Sequence, residues 1–173
     1  FQQCSLFDNV LSGPFDAAVS RRVLHHTPDP AAFITRQVQL LRPGGILLVA
    51  DHTTDPDPAV CRHHQDIERA RDVTHMRNLT LGELADLLSA SGLIELHLCE
   101  EAFPLDFDEW FDRGTPAEAK EIVRRKLLAG PKGRSFVPQI QPNGAISILC
   151  WHGLARGVKP LTHTHPHQSE ARQ

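Results

Sequence analysis

The sequence predicts an α/β protein: a mainly parallel sheet with helices on its faces and an antiparallel hairpin near its carboxyl end. Residues 15–20 and 46–50 are short apolar runs typical of buried strands. Between them, residues 30–41 carry apolar side chains at helical spacing, which gives a strand–helix–strand unit with the right-handed crossover of parallel sheets. Asn143-Gly144 separates two later strand-like segments and is a hairpin signal.

The crossover unit has clear sequence boundaries. Asp29 is the expected N-cap of the helix at 30–41, and a proline follows it as the first helical residue. Arg42–Gly45, which contains a proline and two glycines, ends that helix. The strand at 46–50 shows no polar alternation, so we expect it to be buried on both faces, and the strand at 15–20 to be buried as well.

Helices and strands continue to alternate along the second half. Capping boxes at Thr80–Glu83 and Thr115–Glu118 predict two helix starts. A short helix at 106–113 is expected to turn Phe107, Trp110 and Phe111 inward. The other predicted elements are a helix at 57–72, helices running from the two boxes to Gly92 and Leu128, and strands at 93–99, 135–137 and 145–151.

Size, charge and hydropathy exclude several classes of protein. The chain has 173 residues, enough for one domain with a sizeable core, and a formal net charge of −3. This near balance predicts neither nucleic acid nor an anionic membrane as a partner. No apolar run reaches the roughly 18 residues of a transmembrane helix.

We expect residues 1–157 to form the domain and the polar, histidine-rich residues 158–173 to be a disordered tail.

The cysteines and histidines show no disulfide or metal pattern. The four cysteines are Cys4, Cys61, Cys99 and Cys150, and none forms a C-x-x-C pair. Wide spacing favours reduced thiols in a cytoplasmic protein. His63 and His64 are adjacent on a predicted helix, where neighbouring side chains point about 100° apart and do not chelate together. We therefore predict no metal site.

Four segments resemble a known family. Residues 15–26, F-D-A-A-V-S-R-R-V-L-H-H, resemble the fourth strand and following loop of class I SAM-dependent methyltransferases. Residues 41–51, L-R-P-G-G-I-L-L-V-A-D, resemble their helix-to-fifth-strand segment. Residues 68–77 and 110–128 resemble a subgroup close to the ubiquinone/menaquinone C-methyltransferases, methyltransferase type 11. The resemblance covers most of residues 4–156 and implies a Rossmann-like sheet, S-adenosyl-L-methionine as cofactor and a small-molecule substrate.

The sequence departs from this family in the cofactor-binding half. The family begins with a strand and a Gly-x-Gly-x-Gly loop, and its second strand ends in an acidic residue for the ribose; neither feature occurs here. The first recognisable strand is the family's fourth, so we expect a truncated sheet, with at least about 60 residues missing. The chain, which has no initial Met, would be a fragment or a naturally shortened protein. An uncovered strand leaves unpaired backbone groups, which predicts a homodimer or completion by another chain.

The resemblance implies which residues meet the cofactor. They are Ser5, Leu6, Ser20, Arg21 and His25. Ser5 and Leu6 follow Cys4, which stands where the family usually has an aspartate near the adenine. His26 would lie nearer the substrate. Because the glycine loop is absent, the cofactor could fail to bind to this chain alone.

Two polar pairs follow the predicted strands at the edge where open α/β sheets bind ligands. His25 and His26 come after the first strand, although one of them could simply cap the loop. Asp51 and His52 end the next strand and could orient a substrate or supply a base. Alternatively, Asp51 caps the turn that follows. We take His26 and His52 as the candidate catalytic residues.

A charged segment that contains Arg71, Asp72, His75 and Arg77 could fold over the pocket. Its arginines and histidine would suit an anionic or phenolic substrate. Equally, it could be a solvated helix in which Glu68 pairs with Arg71 at helical spacing. Trp110 would be core or pocket wall. The candidate substrate-binding residues are Asp51, Arg71, His75, Arg77 and Trp110.

Three functions agree with these observations. The first is methylation of a small molecule, which the resemblance favours. The second is a methyltransferase-like cyclase or isomerase that acts by proximity without methylating, which the absent glycine loop favours. The third is a non-catalytic subunit completed by a partner chain.

Overall fold

The computed structural model describes residues 2–8 and 10–161. Its strands are β1 (Phe15–Arg21), β2 (Leu41–Thr53), β3 (Ile94–Asp106), β4 (Val137–Ile140) and β5 (Ile146–Val158). Its helices are α1 (Pro30–Leu40), α2 (Pro58–Arg71), α3 (Leu81–Ala90), α4 (Phe107–Asp112) and α5 (Lys120–Ala129), with a 3-10 turn at Leu24–His26. No helix among these residues is long and apolar enough to cross a bilayer.

The five strands form one mixed sheet in the order β1-β2-β5-β3. β1 and β2 are parallel, and β5 runs antiparallel between β2 and β3. β4 pairs with the first part of β5 as a hairpin, whose turn contains Gly144 at φ 83°. The predicted α/β class, the parallel crossover and the antiparallel hairpin are confirmed.

Two apolar clusters hold the helices on the sheet. One joins α1 and α3 to β2 through buried side chains such as Ile34, Leu47 and Leu88. The other joins α2, α4 and α5 to β5, and Trp110 and Ile148 are among its members. The predicted inward orientation of Phe107, Trp110 and Phe111 is confirmed.

The predicted burial of the first two strands is wrong in part. β2 alternates between buried and half-buried residues, because α1 and α3 pack on one face only. β1 is mostly exposed, and Val19 retains 68% of its accessible surface. The physical reason is that β1 is an edge strand of the described sheet and pairs only with β2.

The two predicted capping boxes have different outcomes. Thr80 and Glu83 form the box reciprocally at the start of α3, as predicted. The second box is wrong: α5 begins at Lys120 without a side-chain cap. The N–H groups of Ala117 and Glu118 instead donate to the carbonyl of Ala70 at the end of α2, so a tertiary contact replaces the local one.

The carboxyl boundary of the domain also differs from the prediction. Val158 is the last residue of β5 rather than the first of a tail. The N–H of Lys159 donates to Gly45, and its Nζ lies 2.6 Å from the carbonyl oxygen of Leu41. The predicted disorder is therefore wrong for residues 158–161, and residues 162–173 lie outside the described range. The four cysteines are free thiols.

Candidate active site

A cavity lies at the edge of the sheet where β1 and β2 end. Its volume is about 210 Å³. Its lining comes from the end of β2, the segment after β1, the end of α2, the end of β3 and α4. We call it the histidine cavity; its lining residues are Arg22, His25, His26, His52, Glu68, Arg71, Asp72, Leu105, Trp110 and Arg113.

His25 and Asp51 form a hydrogen-bonded pair at this cavity. Nδ1 of His25 lies 2.5 Å from Oδ1 of Asp51, which is 4% exposed. Burial alone would raise the pKa of Asp51, but the hydrogen bond and charge of His25 and the backbone N–H of His52 outweigh it, and the pKa is lowered. The ionised carboxylate therefore accepts the Nδ1–H of His25, which leaves Nε2 as the basic nitrogen of the ring.

Asp51 also fastens the 3-10 turn to β2. Its Oδ2 accepts from the N–H of Leu24 at 2.7 Å and from that of His25 at 3.3 Å. Its Oδ1 accepts from the N–H of His52 at 2.7 Å. Because Asp51 is occupied by these donors and does not line the cavity, it is a positioning residue and not the substrate contact suggested by its sequence position.

The two histidines predicted as catalytic both line the cavity. Nδ1 of His26 lies 3.1 Å from the carbonyl oxygen of Thr74, which holds its ring against that of His25. His52 lies edge-on to His152, and burial lowers the pKa of His52 to about 3. A group with so low a pKa is a weak base at neutral pH. The hydrogen bond between His25 and Asp51, together with the low pKa of His52, therefore favours His25 over His52 as the base.

A buried acid, Glu68, lies behind the histidines and was not singled out as a site residue from the sequence. It is 6% exposed, and its carboxylate lies 3.6 Å from His64 and 4.0 Å from Arg71. Burial alone would raise the pKa of Glu68, but the contact with His64 outweighs it and lowers the pKa to about 2. The alternative of a solvated helix face is wrong here, because Glu68 and Arg71 do pair but are both largely buried.

His75 lies beside this group without lining the cavity. It is 4% exposed, and its Nε2 lies 2.9 Å from Oε1 of Gln65. Burial lowers the pKa of His75 to about 4, so the ring is neutral near pH 7. The structure therefore gives His75 a supporting position and no direct access to a substrate.

The predicted covering segment does contact the cavity, but its arginines differ in position. The N–H groups of Met76 and Arg77 donate to the carbonyl of His25. The side chain of Arg77 turns away and pairs with Glu83, outside the cavity. Arg71 lines the cavity, and its Nε and terminal nitrogen donate to the carbonyl of Trp110 at 2.9 and 2.7 Å. Much of its hydrogen-bonding capacity thus serves the protein.

Arg22 lines the cavity, although its sequence position did not predict a site residue. It has φ of 55°, and its N–H donates to the carbonyl of Ala50. Its Nε is buried and has no hydrogen-bond partner among the described residues. The adjacent pair Arg21-Arg22 at a strand end was the available signal. Which of the two faces the ligand edge depends on the backbone conformation, and sequence alone does not determine it.

The residues implied at the cofactor fall into two groups. Ser20, at the end of β1, is 8% exposed, and its buried hydroxyl has no partner among the described residues. A polar ligand can satisfy such a hydroxyl. Arg21 is exposed at the same strand end. Ser5 and Leu6 lie before β1, where the carbonyl of Leu6 accepts from Arg36 and fixes the segment to α1.

Within residues 2–8 and 10–161, no group of His, Cys, Asp and Glu is arranged to hold a metal ion.

Comparisons with known proteins agree with this architecture. A family model described as a methyltransferase domain matches residues 1–98. The uncharacterized methyltransferase YcgJ of Bacillus subtilis is 28% identical over 149 residues, which cover 84% of this chain and 59% of YcgJ. The uncharacterized protein YafE of Escherichia coli is 34% identical over 111 residues, which cover 64% of this chain and 54% of YafE. The chain thus spans little more than half the length of these relatives.

Solved structures give the same fold. The crystal structure of Bacillus subtilis YcgJ superposes with a TM-score of 0.82 at 26% identity, covering 94% of this chain and 71% of YcgJ. The cyclase SpnF superposes with a TM-score of 0.54 at 18% identity over 94% of this chain and 56% of SpnF, which shows a shared fold alone. The family model covers more than half of the chain, and the superposition with YcgJ extends the likeness over 94% of it. The chain belongs to the class I SAM-dependent methyltransferases.

Proposed function

We propose that this chain provides the acceptor side of a methyltransferase that transfers a methyl group from S-adenosyl-L-methionine to a small molecule. The observation that supports this proposal is the His25–Asp51 pair at the histidine cavity, where β1 and β2 end. Ligands of open α/β sheets bind at this edge. The cavity volume of about 210 Å³ suits a small acceptor and not a macromolecule.

The chemistry assigns a definite task to His25. When bound, S-adenosyl-L-methionine supplies an electrophilic methyl group on a sulfonium sulfur. The remainder of the cofactor is then the leaving group, a neutral thioether. An acceptor hydroxyl must lose its proton as its oxygen bonds to the methyl carbon. Nε2 of His25 would take that proton, and the ionised Asp51 would stabilise the resulting imidazolium through Nδ1–H.

The other cavity residues would orient the acceptor. The neutral ring of His52 and the indole of Trp110 offer partly apolar walls, while His26 is held in place by Thr74. Fixing the acceptor close to the methyl group is the larger part of catalysis in such a transfer, because it replaces an encounter in solution by a fixed geometry.

The residues present fit part of a cofactor site. The unpartnered hydroxyl of Ser20 supports a polar ligand at the end of β1, and Arg21 and His25 adjoin it along the chain. Ser5 and Leu6 would contribute from the segment before β1. No Gly-x-Gly-x-Gly loop occurs in the sequence, so these residues would hold only part of the cofactor.

Isothermal titration calorimetry with S-adenosylhomocysteine tests cofactor binding. Saturable binding by the wild-type chain, weakened in the Ser20→Ala variant, is the expected result. The matched control is a Ser147→Ala variant, which removes a serine hydroxyl on β5 outside the cavity. No heat of binding at millimolar S-adenosylhomocysteine would contradict the proposal for this chain.

The predicted association with a second copy or another chain remains a proposal. The exposed edge of β1, with Val19 at 68% exposure, supports it, since unpaired strand edges favour pairing with other strands. Size-exclusion chromatography with light scattering tests it, and a stable monomer at all concentrations would count against self-association.

A further inference from the structure

We propose that Arg22 binds the anionic group of the acceptor, and that the acceptor is a small carboxylate that also carries an ionisable hydroxyl. This inference rests on the proposed function, because it places the same acceptor in the same histidine cavity. It adds the chemical class of the acceptor and a specificity-determining residue.

The first observation is that Arg22 lines the cavity without an ion-pair partner among the described residues. Its backbone has φ of 55°, a conformation uncommon for residues other than glycine, and its N–H is fixed to the carbonyl of Ala50. Its Nε is buried and unpartnered, and within the described part of the chain its guanidinium joins no ion pair. A buried guanidinium donor without a partner is costly unless a ligand accepts its hydrogen bonds.

The second observation is that the other charged groups of the cavity already have partners. Arg71 donates to the carbonyl of Trp110 and lies 3.5 Å from Asp72. Arg113 donates to the carbonyl of Glu109 and lies 3.6 Å from its carboxylate.

The acidic groups facing the cavity are occupied as well. Asp72 accepts from the N–H and hydroxyl of Thr74. Glu68 faces His64 and Arg71. Among the described cavity arginines, Arg22 is thus the one whose guanidinium has neither an ion pair nor a hydrogen bond within the protein, whereas Arg71 and Arg113 have both.

The electrostatics around Arg22 favour an anion. Burial is the largest cause that lowers the pKa of Arg22, and repulsion from Arg21 and Arg113 lowers it further, although the charge of Asp51 opposes them. An anion would relieve that repulsion. The planar guanidinium matches a carboxylate with two parallel hydrogen bonds, which a point-like ammonium cannot provide.

The walls of the cavity favour a flat and partly apolar acceptor. The guanidinium of Arg22 lies 5.8 Å from the ring centre of Phe103, and Leu105 and Trp110 line the same cavity as the histidines. Arg22 and His25 both line this cavity, so a hydroxybenzoate would offer a carboxylate to the first and a hydroxyl to the second. The cavity volume of about 210 Å³ accommodates an acceptor of this size.

Calorimetric titration with 4-hydroxybenzoate and its uncharged analogue 4-hydroxybenzamide tests the inference. We expect the wild-type chain to bind the acid about ten-fold more tightly than the amide, from the strength of a charge-assisted hydrogen bond. Arg22→Met should abolish this preference, whereas Arg22→Lys should retain part of it. Arg62→Met, which removes an exposed arginine on α2 outside the cavity, should leave the preference unchanged.

The outcomes separate this inference from the proposed function. The titration contains no S-adenosyl-L-methionine, so a failure of cofactor binding or methyl transfer does not alter its result. Equal affinity of the wild-type chain for acid and amide, or an unchanged preference in a folded Arg22→Met variant, would overturn the role of Arg22. Circular dichroism and urea unfolding establish that each variant is folded.

Discussion

The imidazole of His25 and the carboxylate of Asp51 lie 2.5 Å apart, and the same carboxylate accepts the backbone N–H groups of Leu24, His25 and His52. One buried side chain therefore fixes both the conformation of the turn after β1 and the orientation of the ring at the cavity. This arrangement makes the stability of the turn and the chemistry of His25 depend on a single residue.

Asp51→Asn should destabilise the protein by about 1–3 kcal/mol, because an amide replaces one acceptor oxygen by a donor that faces buried N–H groups. Urea unfolding at pH 7 measures this loss. Asp16→Asn is the matched control: Asp16 pairs with Arg42 at an exposed site, where an ion pair contributes little. An equally small change in both variants would show that Asp51 does not hold the turn.

The stability of the protein should fall on acidification from pH 7 to pH 5. Burial lowers the pKa of His52 to about 3 and that of His75 to about 4, from 6.5 in each case. The unfolded chain binds protons below pH 6.5 while the folded protein does not, so each histidine costs about 2 kcal/mol over this interval.

The pH dependence can be assigned by substitution. His75→Gln should remove the contribution of one histidine and flatten the curve of unfolding free energy against pH, whatever its effect on stability at pH 7. Exposed His97 on β3 provides the control, since His97→Gln should leave the slope unchanged. A wild-type curve that is flat between pH 7 and pH 5 would contradict the buried, neutral state of His52 and His75.

Arg71→Met should cost about 2 kcal/mol of stability, because the guanidinium joins α2 to α4 through two hydrogen bonds to the carbonyl of Trp110 and packs over its ring. Arg62→Met, on the same helix and exposed, should change the unfolding free energy by less than about 0.5 kcal/mol. If Arg71→Met unfolded at the wild-type urea concentration, its role would be one of ligand binding alone.

The two predicted capping boxes provide a matched comparison. Thr80→Ala should destabilise the protein by about 1 kcal/mol, because the Thr80 hydroxyl accepts the N–H of Glu83 at 3.1 Å. Thr115→Ala should have almost no effect, because Thr115 is exposed and α5 begins only at Lys120. Thermal unfolding of both variants measures the difference, and equal losses would show that the second box also forms in solution.

Local sequence signals predicted most of the fold. The Asp29-Pro30 start, the Thr80 capping box and the Asn143-Gly144 turn all act within a few residues, and each is confirmed. The second capping box failed because the backbone after Thr115 is hydrogen-bonded to α2. That contact joins residues distant in sequence and leaves no local pattern.

The sequence predicted the edge of the sheet at which the candidate site lies, but not the role of each residue there. The carboxyl ends of the first two strands bring His25, His26 and His52 around one cavity, as expected from the sequence. The sequence suggested a substrate contact for Asp51 and none for Arg22, whereas in the structure Arg22 lines the cavity and Asp51 does not. This difference could not be predicted, because it depends on the direction in which each side chain leaves the strand end. Glu68 resembled an ordinary helix charge until the packing of α2 showed that it is buried.

The most direct test is transfer of an isotopically labelled methyl group from S-adenosyl-L-methionine to 4-hydroxybenzoate, with the product identified by mass spectrometry. We expect transfer by the wild-type chain, a loss of about 100-fold or more in folded His25→Gln, and no loss in His97→Gln. Absence of transfer by the wild-type chain, or equal rates for wild type and His25→Gln, would contradict the account of the histidine cavity as an acceptor site with His25 as its base.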